Sequence, residues 1–294
     1  MLFPTQAITL DELKDPLLQQ EHIRLSVLRL DKIHPIVSGN KLFKLHYFLQ
    51  EAQELKQPVV TYGGAYSNHL VATAYGCKQL HIPCSGIVRG EKPAQLSHTL
   101  LACEAFGMQL QFISRAAYAA MASASLEKAG IINIPEGGYH PKGARGASLI
   151  LESLPTTGFS HICTATGTAT TLAGLLLAAK PTQKVLSFAA LKGMKDIDER
   201  LQFLTGRERF DNLQLVDDYH FGGYAKKTGA LLQFMKELYT NHQLPTDFVY
   251  TAKMMFGIFD QVRQGRFAPG SHILCIHTGG LQGNLSLPQG SLCF

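Results

Sequence analysis

A lysine does covalent chemistry only when its amine sheds its proton, and Lys41 is placed for that within Ser38-Gly39-Asn40-Lys41-Leu42-Phe43-Lys44-Leu45. Ser38 or Asn40 is available to cap a helix whose Leu42, Leu45, Phe48, Leu49 and Ala52 recur on one face. At about 100° per residue, Lys41 falls inside that apolar stripe and Lys44 just outside it. Burial there disfavours the ammonium form and favours a nucleophilic, imine-forming amine, whereas Lys44 is expected to keep its charge near water. The competing reading lays the Lys41 stem along the core and lets its ammonium reach solvent. Other stretches must decide between the two.

Two of them are built to hold anions. Pro58 to Tyr62 reads as a buried strand, Gly63-Gly64-Ala65-Tyr66 as a tight turn, and Ser67-Asn68-His69 as the start of a helix running to about Leu80. A strand, a glycine turn and a polar helix start present backbone N–H groups to an anion. Ser160 to Cys163 is a second short strand, followed by the small-residue loop Ala165-Thr166-Gly167-Thr168-Ala169-Thr170-Thr171 and the apolar helix Leu172 to Ala179. This loop matches neither GxxxxGK[ST] nor GxGxxG, which argues against a nucleotide. Its hydroxyls suit a single phosphate group, and the same sequence also fits an ordinary strand-to-helix connection. Asp217 to Tyr224 brings two aromatic hydroxyls among glycines, either a site wall or a packed turn. His277-Thr278-Gly279-Gly280 ends a late strand in a polar turn.

The elements that position these residues alternate. Ile23 to Val27 reads as a strand after a weakly helical Leu10 to Leu18. Strands at 84–88, 109–113, 184–190, 213–216 and 273–276 interleave with helices near 94–106, 115–129, 197–204 and 247–263. Such alternation predicts an α/β fold of doubly wound parallel sheets. The Pro/Gly-dense run from Ile134 to Gly146 marks a crossing between domains. One domain is expected from residues 1–52 and 139–294 and a smaller α/β domain from 53–138, with the site in the crevice between them at the carboxyl ends of the strands.

Composition closes off other classes. The 294 residues are 46% hydrophobic and 17% charged, so the chain is globular with a large core, and its net charge of +5 is scattered rather than clustered as nucleic-acid binding requires. Six cysteines without a CxxC, and an N-terminus without a signal-like apolar stretch, fit a reduced, cytoplasmic protein with no membrane segment and no structural metal.

In order, these stretches resemble the D-cysteine desulfhydrase and 1-aminocyclopropane-1-carboxylate (ACC) deaminase family of pyridoxal-phosphate (PLP) enzymes, of the tryptophan synthase β-like fold type II. The resemblance spans most of the chain. That family writes its Schiff-base lysine in a pattern like GGNKxRKLE, which puts Lys41 in that role. The resemblance further implies that Asn68 meets the cofactor's ring oxygen and that Ser67, with Asn68, His69 and Thr251, receives the substrate. It makes Thr166, Gly167, Thr168, Ala169, Thr170 and Thr171 the phosphate cup, Tyr224 and Tyr250 the active-site tyrosines, and Thr278 the hydroxyl at the pyridine nitrogen. A homodimer is implied as well. The chain departs from the pattern at Ser38, Phe43, His46, Val71 and Ala72, changes that bear on substrate rather than on fold.

The implied chemistry is α,β-elimination from a small amino acid, with Lys41 as the base for the α-proton and a tyrosine managing protons at the leaving group. Thr251 and Thr278 stand where ACC deaminases resemble a glutamate and a leucine, which favours D-cysteine, giving pyruvate, sulfide and ammonia, over ACC. The alternatives are ACC deaminase-like activity and a non-catalytic protein that clamps PLP or an amino acid. A nicotinamide oxidoreductase would need a glycine fingerprint that the chain lacks.

Overall fold

The computed structural model describes residues 2–3, 5–122 and 129–294. In chain order the elements are β1 (Leu10–Leu13), α1 (Pro16–Gln20), β2 (Arg24–Arg29), α2 (Gly39–Leu55), β3 (Val59–Gly63), α3 (Asn68–Gln79), β4 (Cys84–Arg89), α4 (His98–Ala105), β5 (Gln109–Ile113) and α5 (Arg115–Ala122). They continue with β6 (Ile132–Ile134), α6 (Pro141–Glu152), β7 (His161–Thr166), α7 (Thr170–Ala178), β8 (Lys184–Ala189), α8 (Ile197–Thr205), β9 (Leu213–Val216), α9 (Gly229–His242), α10 (Thr251–Arg263) and β10 (His272–His277). Among the described residues there is no helix long and apolar enough to cross a membrane, and all six cysteines are free thiols.

The strands form two sheets, in the orders β1-β2-β10-β7-β8-β9 and β5-β4-β3-β6. Every pairing is parallel except that of β1 with β2. The stretch expected to be weakly helical from Leu10 to Leu18 is therefore mostly wrong: it is an antiparallel edge strand followed by one short helix. Pairing of Leu10 with Leu28 and of Leu13 with Leu25 supplies the backbone partners that its weak helical pattern could not. The interior strands β7, β8 and β10 are buried almost end to end, as parallel strands covered on both faces must be. Neither β6 nor α9 was legible, and α4 begins at His98 rather than near Ala94. The predicted helix over 115–129 is seen as α5, and its later part lies outside the described residues.

Helix α2 lies between two cores. Its Leu42, Leu45, Phe48, Leu49 and Ala52 pack with Val59, Leu70 and Val88 of the four-stranded side. Its Phe43 packs with Ala147, Leu172 and Ile276 of the six-stranded side. Gly146 and Gly174 show how tightly α6 and α7 close on that junction: an added Cβ would meet the Phe43 carbonyl oxygen at 2.2 Å and the Ala144 carbonyl oxygen at 2.5 Å, respectively.

Candidate active site

The carboxyl ends of β3, β4, β7 and β10 and the starts of α2, α3 and α7 surround one cavity of about 310 Å³. It is lined by Lys41, Ser67, Asn68, His69, Thr166, Gly167, Thr168, Ala169, Thr171, Tyr224, Tyr250 and Thr278. Residues read from far-apart stretches thus meet in one place. Two do not join them. Thr170 is fully buried behind the cup, with its hydroxyl 3.2 Å from that of Thr168. Thr251 is spent elsewhere: its hydroxyl donates to Asp247 Oδ1 at 2.7 Å and accepts from Asp247 N at 2.8 Å. The expectation that Thr251 contacts substrate is therefore corrected. It ties the first residue of α10 back to Asp247.

Lys41 is half-buried at the cavity wall, its Nζ donating to Asn40 Oδ1 at 3.1 Å, while Asn40 Nδ2 donates to Thr171 Oγ1 at 3.1 Å. One amide therefore links the amine to the threonine loop. Burial lowers the Lys41 ammonium from its usual 10.5 to about 8, against the opposing pull of Asp247. Ser38 takes the N-cap position of α2 without a side-chain capping bond, and Asn40 serves Lys41 and Thr171 instead.

Lys44 reverses its expectation. Only 4% exposed, it lines the same cavity, with Nζ 3.4 Å from Gly137 O. The reason is the second core: the flank of α2 outside the apolar stripe is covered by α6 and the six-stranded side, so a residue there is shielded from bulk water and faces the cavity. Burial first, and the charge of Lys41 second, push Lys44 well below the ordinary lysine range. An anion beside it would relieve both effects.

The threonine loop provides the place for that anion. Helix α7 starts after Ala169, a left-handed residue (φ 63°), and no side chain caps it, so its first N–H groups have no intrahelical partner. Thr166 Oγ1 accepts from Ser187 Oγ at 2.7 Å, leaving its own proton for a ligand. A Cβ at Gly137 would lie 3.1 Å from Thr168, and one at Gly167 would lie 3.1 Å from the Tyr250 ring. Larger residues at either position would narrow the cup. A helix start without a cap, a hydroxyl with a free proton and a buried lysine form a fit for a phosphate.

The opposite wall is the start of α3. Ser67 Oγ caps it by accepting from Leu70 N at 3.3 Å, which leaves its O–H and the N–H groups of Asn68 and His69 for an anion. Asn68 Oδ1 accepts from Gln282 Nε2 at 2.5 Å. His69 is 2% exposed, and burial with two nearby lysines lowers it to about 3, so it is neutral. Thr61 Oγ1 gives its proton to Ile134 O and lies 2.8 Å from His69 Nε2, and the Pro135 carbonyl also faces the ring.

Tyr224 and Tyr250 stand edge to face with centroids 6.1 Å apart. Tyr250 is fixed by Asp247, whose carboxylate accepts from the N–H groups of Val249, Tyr250 and Thr251 at 2.8–3.0 Å. Lys44, Asp247, Gln282, Arg89 and Glu136 were missed from the sequence. Only Asp247 carried a local signal, an acid just ahead of a helix.

The pyridoxal-phosphate-dependent enzyme family matches residues 2–279. The D-cysteine desulfhydrase of Salmonella choleraesuis is 27% identical, with 86% of each chain covered. The bifunctional D-cysteine desulfhydrase/1-aminocyclopropane-1-carboxylate deaminase of Arabidopsis thaliana is 29% identical over 84% of this chain and 70% of that protein. A crystal structure of an ACC deaminase homologue superposes with a TM-score of 0.79 at 27% identity, covering 97% of this chain and 92% of that one. With Lys41 and an uncapped helix start facing one cavity, the chain belongs to the pyridoxal-phosphate-dependent enzymes of fold type II, among the relatives of D-cysteine desulfhydrase and ACC deaminase.

Proposed function

We propose that the protein is a lyase that releases ammonia from a small amino acid by α,β-elimination, with D-cysteine, giving pyruvate, sulfide and ammonia, as the favoured simple substrate. When bound, pyridoxal phosphate supplies an aldehyde for a lysine to hold and an electron sink for the carbon that loses its proton. The carrying observation is the cavity-facing Lys41 amine, lowered to about 8, linked through Asn40 to the wall where α7 starts uncapped.

The chain's own groups divide the work. Lys44 and the start of α7 hold the phosphate, and the start of α3 holds the substrate carboxylate through the Asn68 and His69 N–H groups and the Ser67 hydroxyl. Lys41 removes the α-proton, because a lowered lysine is a base near neutral pH. Burial, then the Tyr224 neighbour, keeps the Tyr250 phenol well above its ordinary range. Tyr250 therefore stays protonated and donates toward the leaving group rather than taking a proton. Thr278 offers the ring nitrogen a neutral hydroxyl.

Thr278 is what favours D-cysteine over ACC: a neutral hydroxyl leaves the ring less protonated than a carboxylate would, enough for a thiol to leave and weaker for opening a cyclopropane. Thr251 no longer contributes to that choice. A homodimer, and the division of the chain into 1–52 with 139–294 and 53–138, belong to the same proposal. The test is keto-acid release from D- and L-cysteine, D-serine, β-chloro-D-alanine and ACC by the PLP-loaded enzyme. D-Cysteine should give pyruvate and sulfide in equal amounts. ACC turned over faster than every β-substituted amino acid would overturn the elimination reading.

A further inference from the structure

Arg89 closes β4 and lines the same cavity as Lys41, yet no step of the elimination uses it. Its guanidinium lies against Gly64, where an added Cβ would come within 3.3 Å of Nη2, and 5.3 Å from the centroid of the Tyr118 ring. Those contacts support the group at the cavity without consuming its N–H donors. The carboxylate beside it, Glu136, stands 3.8 Å from Nη1, too far for a hydrogen bond. Glu136 Oε2 is already the acceptor for Tyr118 Oη at 2.8 Å. Among the described residues, no side-chain hydrogen bond ties up the guanidinium.

The other cations of the cavity are assigned. Lys41 is the reacting amine, and Lys44 sits at the cup. The substrate's α-carboxylate has the start of α3. Arg89 remains, a planar fork of donors matched to a second carboxylate, beside Gly64 in the turn that leads to the Ser67 cap. Gly64 carries no side chain that would keep a ligand from the guanidinium.

We infer that Arg89 forms a subsite for an anionic group carried by the substrate's leaving group, so that the preferred substrates are β-substituted amino acids, cysteine thioethers among them, whose leaving group ends in a carboxylate. The inference rests on the elimination reading. D-Cysteine uses the same reacting groups and leaves this subsite empty. In the step, Lys41 takes the α-proton, the Cα–H electron pair becomes the Cα–Cβ double bond, and the Cβ–S pair departs with the sulfur, which takes up a proton. With S-carboxymethylcysteine and one water, the products are pyruvate, ammonia and mercaptoacetate. Glu136 competes with the incoming carboxylate for the guanidinium and so sets the affinity of the subsite.

The test compares S-carboxymethylcysteine with its uncharged isostere S-carbamoylmethylcysteine, each as both enantiomers, on the PLP-loaded enzyme. The native protein should prefer the carboxylate about 10- to 100-fold in kcat/KM, the range of a charge-assisted pair. Arg89→Met should bring that ratio to about 1, Arg89→Lys should keep part of it, and Glu136→Gln should raise it. A ratio near 1 in the native protein, or one unchanged in Arg89→Met, overturns the subsite. Binding of the same pair, followed by the cofactor's absorbance, separates the two proposals. Carboxylate-selective binding that Arg89→Met abolishes, with no keto acid from any compound, would sink the elimination and keep the subsite.

Discussion

Lys41 and Lys44 sit one turn apart on α2, and both face the cavity for reasons of which the sequence shows only one. The stripe of Leu42, Leu45, Phe48 and Leu49 singled out Lys41 from spacing alone, because a local period needs no knowledge of partners. Lys44 was misjudged because its burial comes from the second core, through Phe43 and the tight approach of α6. The consequence for Lys41 is measurable. With its ammonium at about 8, about a tenth of the amine is neutral at pH 7, against well under a thousandth for an ordinary lysine. The rate of PLP capture by the apo-protein should rise about tenfold per pH unit below 8 and level off above it. A lysine peptide run in parallel, which removes the aldehyde's own titration, should keep rising toward pH 10. Borohydride should then fix the cofactor on Lys41. An adduct on Lys44 or Lys253, or a rate that climbs in step with the peptide's, would show that the wrong amine has been chosen.

Among the elements, the start of α10 and the loop before α9 form one device. Asp247 gathers the N–H groups that place Tyr250, and two residues past Thr251 the buried Lys253 donates to His220 O at 2.8 Å and Gly223 O at 2.7 Å. The loop it clamps has positive φ at Phe221, Gly222, Gly223 and Ala225 and carries Tyr224, which is 57% exposed. An exposed side chain on a strained backbone keeps its place only if something holds the carbonyls. The sequence showed the aromatic hydroxyls and glycines of this loop but not what fixes them, because the clamp comes from a helix placed there by tertiary packing. For the same reason β1 was misread: a short edge strand takes its identity from its partner β2. Lys253→Met keeps the stem and removes both charged hydrogen bonds. It should lower Tm by several degrees and lower kcat/KM about tenfold. If the clamp acts through Tyr224, adding Tyr224→Phe to Lys253→Met should cost little more. Fully additive losses would mean that Lys253 supports stability without positioning the tyrosine.

At the scale of the whole molecule, the cavity draws its walls from the ends of both sheets, with α2 between them, so a ligand that filled it would meet both sides at once. The Thr166 to Thr171 loop and Thr278 come from the six-stranded side, Ser67, Asn68 and His69 follow β3 of the other sheet, and Lys41 stands on α2 between them. The order of these stretches along the chain was enough to foresee that they meet, because parallel strands expose their carboxyl ends on one edge. Arg89 with Glu136 went unread, since neither has a local pattern and only the pairing of β4 with β3 and of β3 with β6 brings their strand ends together. A ligand that binds only the folded chain stabilises it by about 2.7 kcal/mol at about 100 times its dissociation constant, so PLP should raise Tm by several degrees. Pyridoxal has the same aldehyde and lacks the phosphate. It should still react with Lys41, yet raise Tm much less, because the start of α7 and Lys44 gain nothing from it. In Lys44→Met the advantage of PLP over pyridoxal should shrink, since the buried cation that answers the phosphate is gone. If native protein responds equally to the two compounds, the phosphate is not held at the cup. If the gap persists undiminished in Lys44→Met, the α7 N–H groups hold the phosphate without the lysine, and Lys44 owes its burial to packing alone.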